Sequence, residues 1–205
     1  MNLLKKIPFS YFWILKTAIG EGKKTILDLG CGEGDLMKGI SDSEKWQIIG
    51  VELFANAARK SESTGIYKRV FNADIKDTPW EVKKNKYDVV FASQVIEHLK
   101  REEGEKALAK WEKMARKRIV VSTPVGFIKY SPIGVKREKN PLQKHLSGWS
   151  IEEFINRGYE VHGQGVKFIY GDNGVAKKFP IMLPIFSFIA FLFASTAIIL
   201  LAAYS

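Results

Sequence analysis

The chain has 205 residues, of which 32 are Lys or Arg and 22 are Asp or Glu, so its formal net charge is +10. A hydrophobic share of 46% and a charged share of 26% exclude disorder by composition, and the length suits one domain with a sizeable core. The single cysteine, Cys31, excludes an internal disulfide and a cysteine-rich zinc site. Three histidines provide little material for a metal site, and we expect none.

The first 22 residues contain a pair of lysines followed by a short apolar stretch. This stretch is interrupted by Ser10 and has no A-x-A cleavage site after it, which argues against a signal peptide. We therefore predict an uncleaved amphipathic helix within residues 1–22. Its aromatic residues Phe9, Phe12 and Trp13 would either pack on the domain or lie at a membrane interface.

Residues 23–178 alternate between short β-rich runs and helical patterns. The predicted strands are Lys24–Gly30, Trp46–Glu52, Ile66–Asp74, Tyr87–Ser93, Arg118–Pro124, 160–163 and 165–171. The predicted helices are 33–41, 53–61, 98–117 and 149–159. Nearly continuous apolar strands that alternate with helices indicate a parallel sheet covered on both faces. We therefore predict a Rossmann-like, doubly wound α/β domain.

The last part of the chain is apolar and carries no charged residue after Lys178. As a helix, residues 181–204 would be roughly 36 Å long, enough for a hydrocarbon core of about 30 Å. We predict a single transmembrane helix over residues 179–205. Lys177 and Lys178 before it would keep the domain cytoplasmic. A buried core helix is the alternative, as is an in-plane or hairpin insertion bent at Pro180 and Pro184.

The strongest motif follows the first predicted strand, where the sequence has the spacing Gly30-x-Gly32-x-Gly34. A strand that turns tightly into a helix brings its backbone close to a ligand, and glycine permits this. Glu52 ends the next strand, where a carboxylate can accept hydrogen bonds from ribose hydroxyls. Asp74 ends the third strand and could bond an adenine amine. All these positions fall on the carboxyl edge of the sheet, where open α/β folds bind ligands.

Five segments together resemble class I S-adenosylmethionine-dependent methyltransferases of the small-molecule type. These segments are Ile26–Leu36, Glu52, Asn72–Ile75, Tyr87–Leu99 and Val121–Pro124. In order and spacing the resemblance covers roughly residues 20–170. It implies a sheet of seven strands, the last of them antiparallel.

The resemblance also implies S-adenosyl-L-methionine as the cofactor. Asp28 and the glycine backbone would hold its methionine part, Glu52 its ribose and Asp74 its adenine amine. Ser93 and Gln94 would line the side where the methyl group is transferred, and two apolar residues would flank the adenine ring. The full set of implied cofactor-binding residues is Asp28, Gly30, Cys31, Gly32, Gly34, Glu52, Leu53, Asp74, Ile75, Ser93 and Gln94.

The candidate catalytic residues are His98 and His145, since a neutral imidazole can take a proton from an acceptor hydroxyl. The alternative for His98 is that it only braces the helix after the fourth strand. Metal-dependent small-RNA 3′-end methyltransferases also have an acidic-x-x-Glu-His pattern and a later histidine. Here Gln94 replaces the first acid, so Glu97, His98 and His145 would be an incomplete ligand set.

We expect the acceptor to be a lipophilic or membrane-associated small molecule such as a quinone, a lipid or a lipid-linked sugar. The expected second partner is an anionic lipid surface, which would also explain the basic charge. The alternatives are an RNA methyltransferase and a catalytically degenerate scaffold protein that only binds the cofactor. Against a scaffold, the glycine loop, Glu52 and Asp74 are all intact.

Overall fold

Seven strands form one sheet in the computed structural model, which describes residues 8–42, 44–128, 143–166, 185, 188 and 197–204. In chain order they are β1 (Lys24–Leu29), β2 (Trp46–Glu52), β3 (Tyr67–Asn72), β4 (Tyr87–Ser93), β5 (Ala115–Pro124), β6 (Glu160–Val166) and β7 (Ala197–Tyr204). Their order in the sheet is β3-β2-β1-β4-β5-β7-β6. The five strands from β3 to β5 pair in parallel, whereas β7 runs antiparallel to β5 and β6. The prediction of a doubly wound α/β sheet is confirmed.

Helices cover both faces of the sheet. They are α1 (Tyr11–Ile19), α2 (Asp35–Ile40), α3 (Ala55–Ser63), α4 (Trp80–Lys83), α5 (Arg101–Met114) and α6 (Ile151–Asn156). One buried cluster joins α1 and α2 to one face, and a second joins α5 and α6 to the other. Because both faces are buried, β1, β2 and β4 and residues Ile119–Val121 of β5 are nearly continuous apolar runs.

Helix α1 is the described part of the helix predicted within residues 1–22. It begins after Ser10, whose hydroxyl accepts a hydrogen bond from the backbone N–H of Trp13, and it ends at Gly20 in the left-handed region. Ile14, Leu15 and Ile19 are buried against the sheet. In the part of the chain that the structure describes, this helix therefore packs on the domain.

The segment that follows residues 129–142 is anchored on α5 through Trp149. The Trp149 side chain is buried, and its indole N–H donates to the Ser147 hydroxyl at 3.0 Å. The Arg101 guanidinium lies 3.9 Å from its ring centroid, and a Cβ at Gly104 would approach the ring to 2.6 Å. This anchor holds the neighbouring His145 near the carboxyl edge of the sheet.

The prediction of a transmembrane helix over residues 179–205 is wrong for Ala197–Tyr204, which form β7. Ala202, for example, pairs with Val121 of β5 on one side and with Val161 of β6 on the other. An apolar run suits a buried strand as well as a helix, so hydrophobicity alone does not separate the two. Among the residues that the structure describes, no helix has both the length and the apolar character needed to cross a bilayer.

The predicted last two strands also differ from those observed. The segments at 160–163 and 165–171 were expected to form separate strands, but Glu160–Val166 is one strand, β6. Residues 167–171 lie outside the described residues. The antiparallel strand of the sheet is β7, taken from the far end of the chain.

Removing β7 provides a test of this fold. A chain ending at residue 196 would leave β5 and β6 with unpaired edges, which exposes backbone hydrogen-bonding groups and apolar surface. We expect the melting temperature to fall by about 10 °C or more, or the soluble yield to be lost. The control chain ends at Tyr204 and should melt like the full chain. A shortened chain as stable as this control would contradict the placement of β7.

Candidate functional site

The turn between β1 and α2 depends on three glycines at the carboxyl edge of the sheet. Gly30, Gly32 and Gly34 have φ angles of 68°, 57° and 83°, a region that side-chain-bearing residues rarely adopt. A Cβ at Gly30 would also lie only 2.6 Å from a methyl carbon of Val95. The motif is therefore glycine-rich because the backbone conformation and the close packing require it.

Glu52 fixes this turn through its carboxylate. Its Oε2 accepts a hydrogen bond from the backbone N–H of Gly32 at 2.9 Å, and its Oε1 accepts one from the N–H of Phe54 at 2.8 Å. A carboxylate offers about four acceptor positions, so two remain for further donors such as ribose hydroxyls. The side-chain amide of Asn72 holds the end of the strand by donating to the carbonyls of Glu52 and Leu53.

The predicted adenine side of the site contains Asp74, Leu53 and Ile75. Oδ1 of Asp74 accepts from the backbone N–H of Lys76 at 2.8 Å, and its Oδ2 lies 3.7 Å from the Lys76 ammonium. The Leu53 side chain is exposed at this edge, while Ile75 packs partly against the core. This edge of the sheet thus carries a carboxylate and two apolar side chains, the residue types that the predicted contact with an adenine ring and its amine would use.

Cys31 lies within the glycine turn, and its thiol is 3.3 Å from the Ser61 hydroxyl. Burial raises the pKa of the thiol, and the negative charge of Asp28 raises it further. The group therefore stays a thiol at neutral pH. It fills space in the turn and has no features of a nucleophile.

Asp28, next to the last residue of β1, is almost completely buried. The Tyr67 hydroxyl donates a 2.7 Å hydrogen bond to its Oδ2. Burial raises the pKa of the Asp28 carboxyl to about 7, the nearby charge of Glu52 adds to this, and the bond from Tyr67 opposes it. Asp28 therefore titrates near neutral pH.

Ser93 and Gln94 form a hydrogen-bonded cluster with a residue of α1. The Tyr11 hydroxyl lies 2.6 Å from the Ser93 Oγ and 2.7 Å from the Ser122 Oγ, and the two serine oxygens are 2.9 Å apart. Gln94 has a φ angle of 56°, uncommon for a residue with a side chain, and its amide nitrogen lies 3.5 Å from the Ser122 hydroxyl. Helix α1 thereby closes over the end of β4 at the predicted methyl-transfer side.

Glu97, His98 and His145 come together on the other side of Gln94. Each offers one ligand atom, and these atoms all lie within 4.8 Å of one another. The His98 and His145 rings meet edge to face at 5.1 Å. Because the main-chain carbonyl of Glu97 accepts from the N–H groups of Leu146 and Ser147, the segment that carries His145 is hydrogen-bonded to the segment that carries His98.

The two candidate bases differ in environment. Nδ1 of His98 lies 3.2 Å from the Lys144 carbonyl, whereas Nδ1 of His145 lies 2.7 Å from the Ile128 carbonyl. Burial lowers the pKa of His98, and repulsion from His145 adds to this, against stabilisation of the charged ring by backbone carbonyls. His98 is therefore neutral at pH 7 and able to accept a proton.

Glu97 is 2% exposed, and only one of its carboxylate oxygens has a hydrogen-bond partner among the described residues. The Thr123 hydroxyl donates to Oε2 at 3.1 Å, whereas Oε1 is buried without a partner in that part of the chain. Burial raises the pKa of this carboxyl to about 7. A buried oxygen in this state is suited to a proton or a bound cation.

The family comparison agrees with this geometry. Residues 26–118 match the model of the methyltransferase domain family. They contain the glycine turn, Glu52, Asp74 and the end of β4. No curated protein gives a significant match to the chain.

Three solved structures share the fold. The TehB-like S-adenosylmethionine-dependent methyltransferase of Corynebacterium glutamicum is 16% identical, with a TM-score of 0.58 over 94% of this chain and 85% of that one. Magnesium protoporphyrin IX methyltransferase of Synechocystis, solved with bound S-adenosylmethionine, is 15% identical, with a TM-score of 0.52 over 94% and 76%. The small RNA methyltransferase HEN1 is 17% identical, with a TM-score of 0.59 over 93% of this chain. The present chain spans about a quarter of HEN1, 24% of its length.

In fold and in the match over residues 26–118, the chain is similar to class I S-adenosylmethionine-dependent methyltransferases. The residues present fit the cofactor, because a carboxylate ends β2 and a turn of glycine backbone follows β1.

Three site residues were not predicted from the sequence: Tyr11, Tyr67 and Thr123. The hydroxyl of each forms a hydrogen bond with a residue singled out from the sequence. The pairs are Tyr11–Ser93, Tyr67–Asp28 and Thr123–Glu97, separated by 82, 39 and 26 residues. No local motif surrounds Tyr11 or Tyr67 that could have indicated these contacts. Thr123 lies within the quoted Val121–Pro124 segment, but its role as a donor to Glu97 depends on the three-dimensional structure.

Glu52→Gln tests the cofactor site. The amide replaces one acceptor oxygen with a donor, which then faces a backbone N–H of Gly32 or Phe54 and cannot serve a ribose hydroxyl. We expect the affinity for S-adenosylhomocysteine, measured by calorimetry, to fall about 10- to 100-fold. Asp42→Asn, at the opposite edge of the sheet, is the control and should bind like the original chain. Equal affinities for all three proteins would rule out Glu52 as a cofactor ligand.

Proposed function

We propose that the protein is an S-adenosylmethionine-dependent methyltransferase and that its acceptor is a lipophilic small molecule that carries a hydroxyl. The observation that supports this most directly is the apolar surface beside the two histidines. Phe127 is 62% exposed and directly precedes Ile128, whose carbonyl lies 2.7 Å from Nδ1 of His145. Leu146 is 44% exposed and directly follows His145. Large exposed apolar side chains next to candidate bases are suited to an apolar acceptor.

In this proposal the chain aligns the acceptor and receives its proton. When bound, S-adenosylmethionine supplies an activated methyl group, so the protein has mainly to orient the acceptor and exclude water. Neutral His98, with His145 beside it, would accept the proton of the acceptor hydroxyl. Tyr11 and α1 would close the opposite wall through their bonds to Ser93 and Ser122.

We further propose that the acceptor is met at the cytoplasmic surface of a membrane. The support is the net charge of +10, which favours an anionic lipid surface. The exposed side chains of Ile185 and Phe188 add apolar surface, and the Phe188 ring lies 4.8 Å from that of Phe9. Phe9 is two residues before Tyr11, so this surface adjoins the carboxyl edge.

RNA methylation is a second candidate, favoured by the arrangement of Glu97, His98 and His145. Two imidazoles and a buried carboxylate oxygen fit a divalent cation, which these three residues would hold. The basic charge also suits a polyanion. The absence of an acid at Gln94 and the apolar Phe127 and Leu146 beside the cluster favour the lipophilic acceptor.

Transfer of a tritiated methyl group separates these candidates. The full chain is incubated with labelled S-adenosylmethionine and, in parallel, with total lipid extract, RNA or protein, each with and without a chelator. We expect label in the lipid fraction, and we expect the chelator to have no effect. Label in RNA that disappears when the chelator is added would contradict the lipophilic acceptor and support metal-dependent RNA methylation.

Single substitutions test the candidate bases. If His98 is the general base, His98→Ala should lower turnover about 100-fold or more, and His145→Ala should lower it by a smaller factor. Because burial keeps the pKa of His98 below its ordinary value, turnover of the original enzyme should stay level around pH 7 and fall only in more acidic solution. The matched control is His162→Ala, whose ring is bonded to Glu160 on β6. Unchanged turnover across pH in both single variants would show that neither histidine is the base.

A further inference from the structure

The Tyr67 hydroxyl donates a hydrogen bond to Asp28, which lies two residues before the glycine turn begins at Gly30. The bond to Oδ2 is 2.7 Å long, and both side chains are buried. Tyr67 lies at the start of β3, whereas Asp28 lies in β1, with β2 between them. Its ring therefore has to reach across the intervening strand.

Two glycines leave the space that this reach requires. A Cβ at Gly50 of β2 would lie 3.1 Å from Cδ1 and 3.2 Å from Cε1 of the Tyr67 ring. A Cβ at Gly34, the last glycine of the turn, would lie 3.2 Å from Cε2 of the same ring. The Tyr67 ring thus fits between Gly50 and Gly34, where no side chain takes up the space. Contact with these two glycines fixes the position of the ring.

We propose that Tyr67 is a positioning residue that holds the Asp28 carboxylate ready for the methionine part of the cofactor. The inference rests on the proposed methyltransferase function and on the contact of Asp28 with the methionine part that the family resemblance implies. The methionine part carries an ammonium group, for which a fixed carboxylate is the complementary partner. A tyrosine that donates to one oxygen orients the carboxylate and favours its charged form.

The groups facing Asp28 determine how its charge depends on pH. Burial and the negative charge of Glu52 favour the protonated acid, and the Tyr67 hydroxyl favours the carboxylate. The Cys31 thiol remains neutral, because burial raises its pKa. Since the carboxyl has a pKa of about 7, the affinity for the cofactor should rise as the pH increases through this value. Removing the Tyr67 hydroxyl should move that rise to higher pH.

Tyr67→Phe tests the proposal by calorimetric binding of S-adenosylhomocysteine between about pH 5.5 and about pH 8.5, a range that brackets the Asp28 titration. We expect binding to the variant to be about tenfold weaker at pH 7, with the rise displaced to higher pH. The matched control is Tyr87→Phe, another buried tyrosine, whose hydroxyl lies 3.5 Å from the Val82 carbonyl. It should follow the original chain at every pH.

Gly50→Ala is a second variant, because its added methyl group would lie 3.0 Å from the Cys31 sulfur and 3.1 Å from the Tyr67 ring while the Tyr67 hydroxyl stays in place. It should displace the ring and weaken binding in the same direction. The proposal is overturned if Tyr67→Phe and Tyr87→Phe behave alike, or if Tyr67→Phe weakens binding equally at every pH. No acceptor is present in this experiment, so its result is independent of whether lipid, RNA or protein receives the methyl group.

Discussion

The attachment of the glycine turn to the end of β2 is the constraint on which the site depends. The N–H groups of Gly30 and Cys31 both donate to the carbonyl of Val51, and the N–H of Gly32 donates to the Glu52 carboxylate. Backbone donors need partners, and the carboxylate at position 52 provides one for the partly buried N–H of Gly32 before any ligand binds. Glu52 therefore belongs to the structure of the turn, and the predicted contact with a ribose would use the lone pairs of the carboxylate that these bonds leave free.

Two buried acids lie on the two sides of the site, and each is held by one hydroxyl group. The Tyr67 hydroxyl donates a hydrogen bond to Asp28 on the predicted cofactor side, and the Thr123 hydroxyl donates one to Glu97 on the proposed acceptor side. Burial raises the pKa of both carboxyls to about 7, above their values in the unfolded chain. A carboxyl whose pKa is raised by folding favours the folded state at low pH, and this contribution is lost as the pH rises toward 7. The fold thus gives up stability near neutral pH to hold two polar groups where a cofactor and an acceptor would meet them.

The sequence was sufficient for the parts of the site that are local. The glycine turn follows β1 directly, and the acid that meets it ends the next strand, so spacing alone predicted Gly30, Gly32, Gly34 and Glu52. Tyr11 and Tyr67 could not be predicted in this way. Their hydroxyls reach the site only because α1 folds back over β4 and β5 and because the ring of Tyr67 crosses β2. Contacts of this kind depend on the packing of distant segments, which leaves no pattern in the sequence around either tyrosine.

The C-terminal strand β7 shows why hydrophobicity alone led to the wrong prediction of a transmembrane helix. The same strand pairs with the part of β5 next to the site. An inner strand of a covered sheet has the same apolar composition as a membrane helix, and its partners β5 and β6 precede it by tens of residues in the chain. In β7, Leu200 pairs with Thr123 and Leu201 pairs with Ser122. Pairing with β7 thereby supports the part of β5 that carries the Glu97 donor and the Tyr11 partner. Residues 200 and 201 accordingly support Ser122 and Thr123 of β5, although they lie about 80 residues away in sequence.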